Sequence, residues 1–178
     1  MQAASATGLV STQWLAEHRD APDVKVVDAT WFLPTLERDA RAEYAQAHIP
    51  GAVYFDIDDI ADDQSALPHM LPSPVKFSSR VRKLGLGDGT RIVVYDNNRY
   101  SASARAWWML RVFGHPDVAV LDGGLAKWQA EGRPVDDRPR RKSARKAARA
   151  AKKIWVTSPR CPSFAAHSVR SIRSTAMC

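Results

Sequence analysis

The 178-residue sequence predicts an α/β fold: an open, mainly parallel sheet with helices on both faces, followed by a disordered basic tail. Three observations predict it. From residue 11 to residue 130, short β-branched runs alternate with segments of helical period, as in a chain that crosses back between parallel strands. The run Arg91, Ile92, Val93, Val94, Tyr95 is β-branched at its centre and apolar without alternation after Arg91, as in a strand covered on both faces. The composition also breaks near residue 133. Residues 1–132 carry 13 Lys/Arg against 17 Asp/Glu, whereas residues 133–178 carry 13 basic and two acidic residues. The formal net charge of +7 therefore belongs to the tail rather than to the domain.

Taken in order, residues 1–8 read as a flexible lead-in and residues 9–135 as the domain. Ser11 is a good helix cap, and Trp14, Leu15 and His18 recur behind it at helical spacing. Residues 24–30 (VKVVDAT) form a strand that ends in polar groups, and residues 37–47 a short, mostly polar helix. Pro50 stops that helix, Gly51 lets the chain turn without a Cβ clash, and residues 52–55 are a second strand. Residues 56–70 form an acidic loop with Asp56, Asp58, Asp59, Asp62 and Asp63. An amphipathic helix over 75–84 is ended by the glycines at 85, 87 and 89. The strand at 91–95, a helix over 101–113, a strand at 117–121, a turn at 122–124 and a helix over 125–130 close the domain. Crossovers between the strands should be right-handed.

Several function classes are set aside by composition. Hydrophobic content of 45% and charged content of 25% are those of a globular protein. No apolar run approaches the roughly 18 residues that span a bilayer, so no membrane partner is expected. The amino-terminal residues show no basic stretch leading into an apolar one, so a secretory leader is not expected and a cytoplasmic setting is. Cys161 and Cys178 are the only cysteines, too few for a disulfide framework or a metal cluster, and neither metal nor cofactor is expected.

The chemistry is expected where the strand at 91–95 runs into the helix after it. Loop amides and a helix N-terminus converge there on an anion, and the residue leaving the strand holds the reactive position. That residue is Asp96, followed by Asn97, Asn98, Arg99, Tyr100 and Ser101, with Ser101 as the helix cap. A carboxylate suits neither an anion binder nor a thiol chemist. Earlier in the chain, His48 reads either as a ligand or base or as a structural histidine holding the turn at Pro50, and the structural reading is favoured. Arg38 and Arg41 are potential anion contacts that read more simply as solvated side chains, and Arg99 could partly neutralise Asp96. Trp107, Trp108, Met109, Val112 and Phe113 read most simply as core residues.

At Tyr44, His48, Pro50, Gly51, Ala52 and Phe55 the spacing resembles the amino-terminal signature of the rhodanese family. The segments 107–115 and 118–128, with their Asp122-Gly123-Gly124 turn, are similar in the same way. The likeness runs from about residue 9 to residue 135. It is to the first domain of the tandem sulfurtransferases that act on thiosulfate or 3-mercaptopyruvate. The 56–58 loop and the segment 69–72 favour the mercaptopyruvate branch.

This resemblance implies a five-stranded rhodanese-like sheet and transfer of a sulfane sulfur from a small donor through a cysteine persulfide. It also implies that the cysteine lies in a second domain, that Asp96 marks a non-catalytic loop, and that Asp58 and His69 assist from the first-domain wall. Read from the residues alone, Asp58 would instead cap local backbone and His69 would pack on the turn at Met70 and Leu71.

Residues 136–178 resemble no part of that family. The stretch 140–153 is a low-complexity Arg/Ala/Lys run, and the whole tail reads as disordered or as out-of-frame translation of a truncated product. Cys161 and Cys178 have neither a strand before them nor a cradle after them, and neither is expected to carry a persulfide. The expectation is a sulfurtransferase domain that is inactive alone. A non-catalytic module binding a partner or an anion is the alternative. Nucleic-acid binding by the tail is ranked third, because Arg/Ala runs lack the interleaved aromatics that stack on bases. Oligomeric state is not legible.

Overall fold

Each β-branched run becomes a strand whose side chains alternate between two apolar layers. In the computed structural model, residues 8–98 and 102–137 are described. The strands are β1 (Leu9–Val10), β2 (Val24–Asp28), β3 (Val53–Tyr54), β4 (Arg91–Tyr95) and β5 (Val118–Leu121). They form one sheet in the order β1-β5-β4-β2-β3, and every pairing is parallel. Register fixes the centre: Val24 lies opposite Arg91 and Asp28 opposite Tyr95. The helices are α1 (Thr12–His18), α2 (Ala40–Gln46), α3 (Ile57–Ile60), α4 (Pro74–Lys83), α5 (Ala102–Val112) and α6 (Gly124–Ala130).

Because successive strand residues point to opposite faces, the two layers separate by sequence parity. Val27, Ile92 and Val94 pack with Phe77 and Val81 of α4 and with Ala106, Met109 and Leu110 of α5. Val24, Val26, Val93 and Tyr95 face the other way, onto Leu15 of α1 and Leu125 and Trp128 of α6. Each fully buried side chain of this size contributes about 1.5–3 kcal/mol relative to exposure. The sheet is therefore held from both sides. On the α4/α5 side Phe77 and Phe113 stack with ring centroids 4.0 Å apart.

Local chemistry moves several boundaries inward from those read in the sequence. The helix expected over 37–47 starts at Ala40, because the Asp39 carboxylate accepts the amides of Arg41 and Ala42 while Glu37 sits at φ 50 and ends a 3-10 turn at Pro34–Leu36. The strand expected over 24–30 ends at Asp28, whose own carboxylate takes the Thr30 amide at 2.8 Å and turns the chain away. The acidic loop contains α3, capped by Asp56. Ser73 caps α4 with Pro74 in its first turn. The expected cap at Ser101 lies outside the described residues, as do residues 1–7 and the tail 138–178. Among the described residues no helix is long and apolar enough to cross a membrane.

Candidate active site

The carboxyl ends of β2, β4 and β5 open onto a cleft of about 700 Å³, lined among others by Phe32, Leu36, Arg38, Asp96 and Gly124. This is the edge where an open parallel sheet presents its loops. Asp96 leaves β4 at its rim and is only 8% exposed. Its Oδ2 accepts the Ser103 amide at 2.7 Å and its Oδ1 the Asn98 amide at 3.4 Å. The loop thus turns its amides inward on a carboxylate that the chain itself supplies. From behind, the Asp96 carbonyl accepts the Leu125 amide at 3.0 Å, and a Cβ built on Gly124 would lie 2.5 Å from that same oxygen.

The next two loop residues tie this turn to the rest of the edge. Asn97 donates its amide to Thr30 Oγ1 at 3.0 Å and its side-chain Nδ2 to Glu43 Oε2 at 3.2 Å. Glu43 is also held by Arg38 Nε and Nη2 at 2.7 and 2.6 Å, and the Arg38 guanidinium lies 3.8 Å over the Phe32 ring. Arg38 is therefore engaged rather than merely solvated, and Arg41 likewise pairs with Asp56. Asn98 donates to the Trp31 carbonyl. Arg99, Tyr100 and Ser101 lie outside the described residues.

Trp31 connects that loop to a second polar group. Its indole N–H donates to Asp58 Oδ2 at 3.3 Å, and Asp58 Oδ1 lies 2.7 Å from His69 Nε2. An ionised carboxylate only accepts, so the imidazole carries its proton on Nε2 and leaves Nδ1 as the lone-pair nitrogen when neutral. The Trp31 ring meets the His69 ring edge-on at 4.8 Å. Asp58 does not cap backbone, since Asp56 does that. His69 sits at φ 55, a left-handed conformation costing a non-glycine residue about 1–2 kcal/mol. Its carbonyl accepts from Arg105 Nη2. A carboxylate–imidazole pair, half open to solvent at 65% and 29% side-chain exposure, can exchange a proton with a group that approaches it from solvent.

The signature residues do a different job. The His48 ring is buried, stacks on Tyr44 at 4.3 Å and donates Nδ1–H to the Tyr44 carbonyl at 2.7 Å. Tyr44 in turn donates its hydroxyl to the Ala52 carbonyl at 2.8 Å. The Ile49 amide meets the Tyr95 hydroxyl at 3.1 Å, and Asp136 exchanges both backbone hydrogen bonds with His48. The side chain of Phe55 is buried in the core. These contacts pin the α2–β3 turn onto β4 directly behind the Asp96 loop, while Pro50 and Gly51 shape its corner.

Two residues absent from the sequence reading belong to this edge, Trp31 and Arg105, and with them Asp28, which the sequence showed only as a polar group at the end of its strand. Trp31 stands just past the end of β2, which is the one hint the sequence offered. Asp28 is 1% exposed, and desolvation pushes its carboxyl above the usual 3.8 despite stabilising bonds from Thr30 and Tyr95. The folded state then binds a proton that the unfolded chain has already released. Stability from this group is present below the unfolded value and is lost as pH rises through the folded one. Urea midpoints taken from about pH 4 to about pH 7 should accordingly fall for wild type relative to Asp28→Asn, after a constant offset. A gap that stays flat, or moves the other way, would show that Asp28 is ionised throughout.

Among the described residues no group of three or more His, Cys, Asp or Glu is placed to hold a metal ion, and neither cysteine lies among them. A family model for the rhodanese-like domain matches residues 11–131. The 3-mercaptopyruvate sulfurtransferase of Escherichia coli (strain K12) is 46% identical over 128 residues, covering 71% of this chain and 46% of that protein. The mitochondrial thiosulfate/3-mercaptopyruvate sulfurtransferase 1 of Arabidopsis thaliana is 45% identical over 128 residues, 72% of this chain and 34% of the relative. The crystal structure of the E. coli 3-mercaptopyruvate sulfotransferase SseA superposes with a TM-score of 0.71 at 43% identity, over 74% of this chain and 50% of that one. The chain spans half or less of the length of each of these relatives.

Proposed function

Because the chain belongs to the rhodanese-like domain family, we propose that it is the half of a sulfurtransferase acting on 3-mercaptopyruvate or thiosulfate whose loop lacks the catalytic cysteine, and that it turns over no donor by itself. Asp96 carries the reading. Sulfane-sulfur transfer needs a cysteine thiolate in a ring of amides, where the N–H groups lower the thiol's pKa and stabilise the persulfide. Here the amides of Asn98 and Ser103 already hold the Asp96 carboxylate, which is a poor nucleophile toward sulfur. The relatives' names support the two donors.

On this reading a second rhodanese domain brings the thiol, and this chain supplies the facing wall. Asp58 fixes the His69 tautomer, and His69 Nδ1 takes or returns a proton as the small sulfur donor reacts. A non-catalytic module that accepts a partner or an anion in the cleft remains the second reading. It is favoured by the size of that cleft, and Asp96 at its rim weakens it.

The test is thiocyanate formation from cyanide with either donor, using the 178-residue chain. No thiocyanate above a protein-free blank is expected. Turnover that disappears in Cys161→Ser would overturn the proposal, because it would place a working persulfide in the tail.

A further inference from the structure

We propose that Arg105 is a positioning residue for the Asp58–His69 pair: it holds the His69 carbonyl, and through it the left-handed backbone from which the imidazole reaches Asp58. The inference rests on the role of Asp58 and His69 stated above.

The segment that carries His69 is tied down mostly within itself. The Asp62 amide closes on the Met70 carbonyl at 2.9 Å, and the Gln64 and Leu67 amides bond to Asp62 and Ser65. Asp63 pairs with Lys76 at 3.1 Å. His69 itself is fixed at both ends, by its ring on Asp58 and by its carbonyl on Arg105. Relaxing φ out of the left-handed region would swing the ring away from Asp58 unless the peptide plane beyond it were held. Holding the carbonyl therefore holds the ring.

Arg105 is built for that task. It stands on α5, whose Ala106, Met109 and Leu110 are buried against the sheet, so its base is rigid. Its guanidinium lies 4.5 Å over the Trp108 ring, a platform that fixes the plane of the fork. With Trp31, Phe55 and His69 it lines a cavity of about 200 Å³. No acceptor meets its buried Nε among the described residues, although burial alone disfavours the charge.

The nitrogen-15-labelled 178-residue chain tests this through the two His69 ring nitrogens. Wild type should show one neutral tautomer, protonated at Nε2, with well-separated nitrogen shifts. Arg105→Met keeps the stem on Trp108 and removes the donor. The separation should collapse toward that of freely exchanging tautomers while the melting temperature stays near wild type. Arg105→Lys retains a donor and should recover most of the separation. Asp58→Ala should reduce it to the freely exchanging value. Trp108→Leu, at a partly exposed position where folding is not at risk, should reduce it by loosening the guanidinium.

Unchanged His69 shifts in both Arg105→Met and Trp108→Leu overturn the proposal. So does a wild type without the separation, or one that Asp58→Ala leaves intact. The readout needs no turnover. Thiocyanate production by the chain would sink the proposed function and leave this result standing, and the reverse holds equally.

Discussion

Replacing Trp128 with alanine is expected to lower the unfolding free energy by about 3–5 kcal/mol, out of a total that for a domain of this kind is about 5–15 kcal/mol. Trp128 is 0% exposed and belongs to the apolar layer formed by Val24, Val26, Val93, Tyr95 and Leu125. Truncation leaves a cavity that the parallel sheet on one side cannot collapse to fill. It also orphans the Pro134 carbonyl, which accepts the indole N–H at 2.8 Å and so fastens the segment after α6. The two losses act on the same contact between α6 and the sheet. Trp128→Phe separates them: it keeps most of the ring, loses the hydrogen bond, and should cost about 1–2 kcal/mol. Urea denaturation of the three proteins makes the comparison. If Trp128→Ala cost under about 1 kcal/mol, α6 would not be packed as described.

Gly124→Ala is expected to cost about 2–4 kcal/mol, combining a left-handed conformation with overpacking against backbone. Gly124 lies at φ 55, and the atom its Cβ would strike is the Asp96 carbonyl oxygen at 2.5 Å, which cannot swing aside. To relieve the contact, the β5–α6 turn and the Asp96 loop must separate, breaking the bond from the Leu125 amide to Asp96 O. Gly85 is the built-in control. Its φ is 76, yet a Cβ there would meet nothing within 4 Å. Gly85→Ala should therefore cost only the conformational part, about 1–2 kcal/mol. Equal penalties at the two positions would show that the close approach of the α6 turn to Asp96 is not what requires glycine.

How far the fold could be read depended on the length of each pattern. β2 and β4 were legible because three β-branched residues among five leave few alternatives, and α4 and α5 run for ten and eleven residues. β1 was not, since Leu9–Val10 is too short to have a period, and its position depends on pairing with β5, more than a hundred residues on. The one-turn α3 was hidden because Asp56, Asp58 and Asp59 look like a solvated loop until one sees that the first of them is a cap. At the site, the position of Asp96 was readable from the strand–loop–helix pattern. The amide partners that explain a carboxylate there were not, because Ser103 lies beyond the loop, inside α5. Arg105 and His69 meet across 36 residues, a contact only tertiary structure can make.

The carboxylate at the end of β4 has one further consequence. A thiolate in such a ring would be open to peroxide, climbing through sulfenic to sulfinic acid, and to any alkylating agent small enough to enter. Asp96 has no such ladder, and residues 1–160 contain no cysteine. Peroxide that would silence a catalytic rhodanese loop finds no thiol to attack at this position.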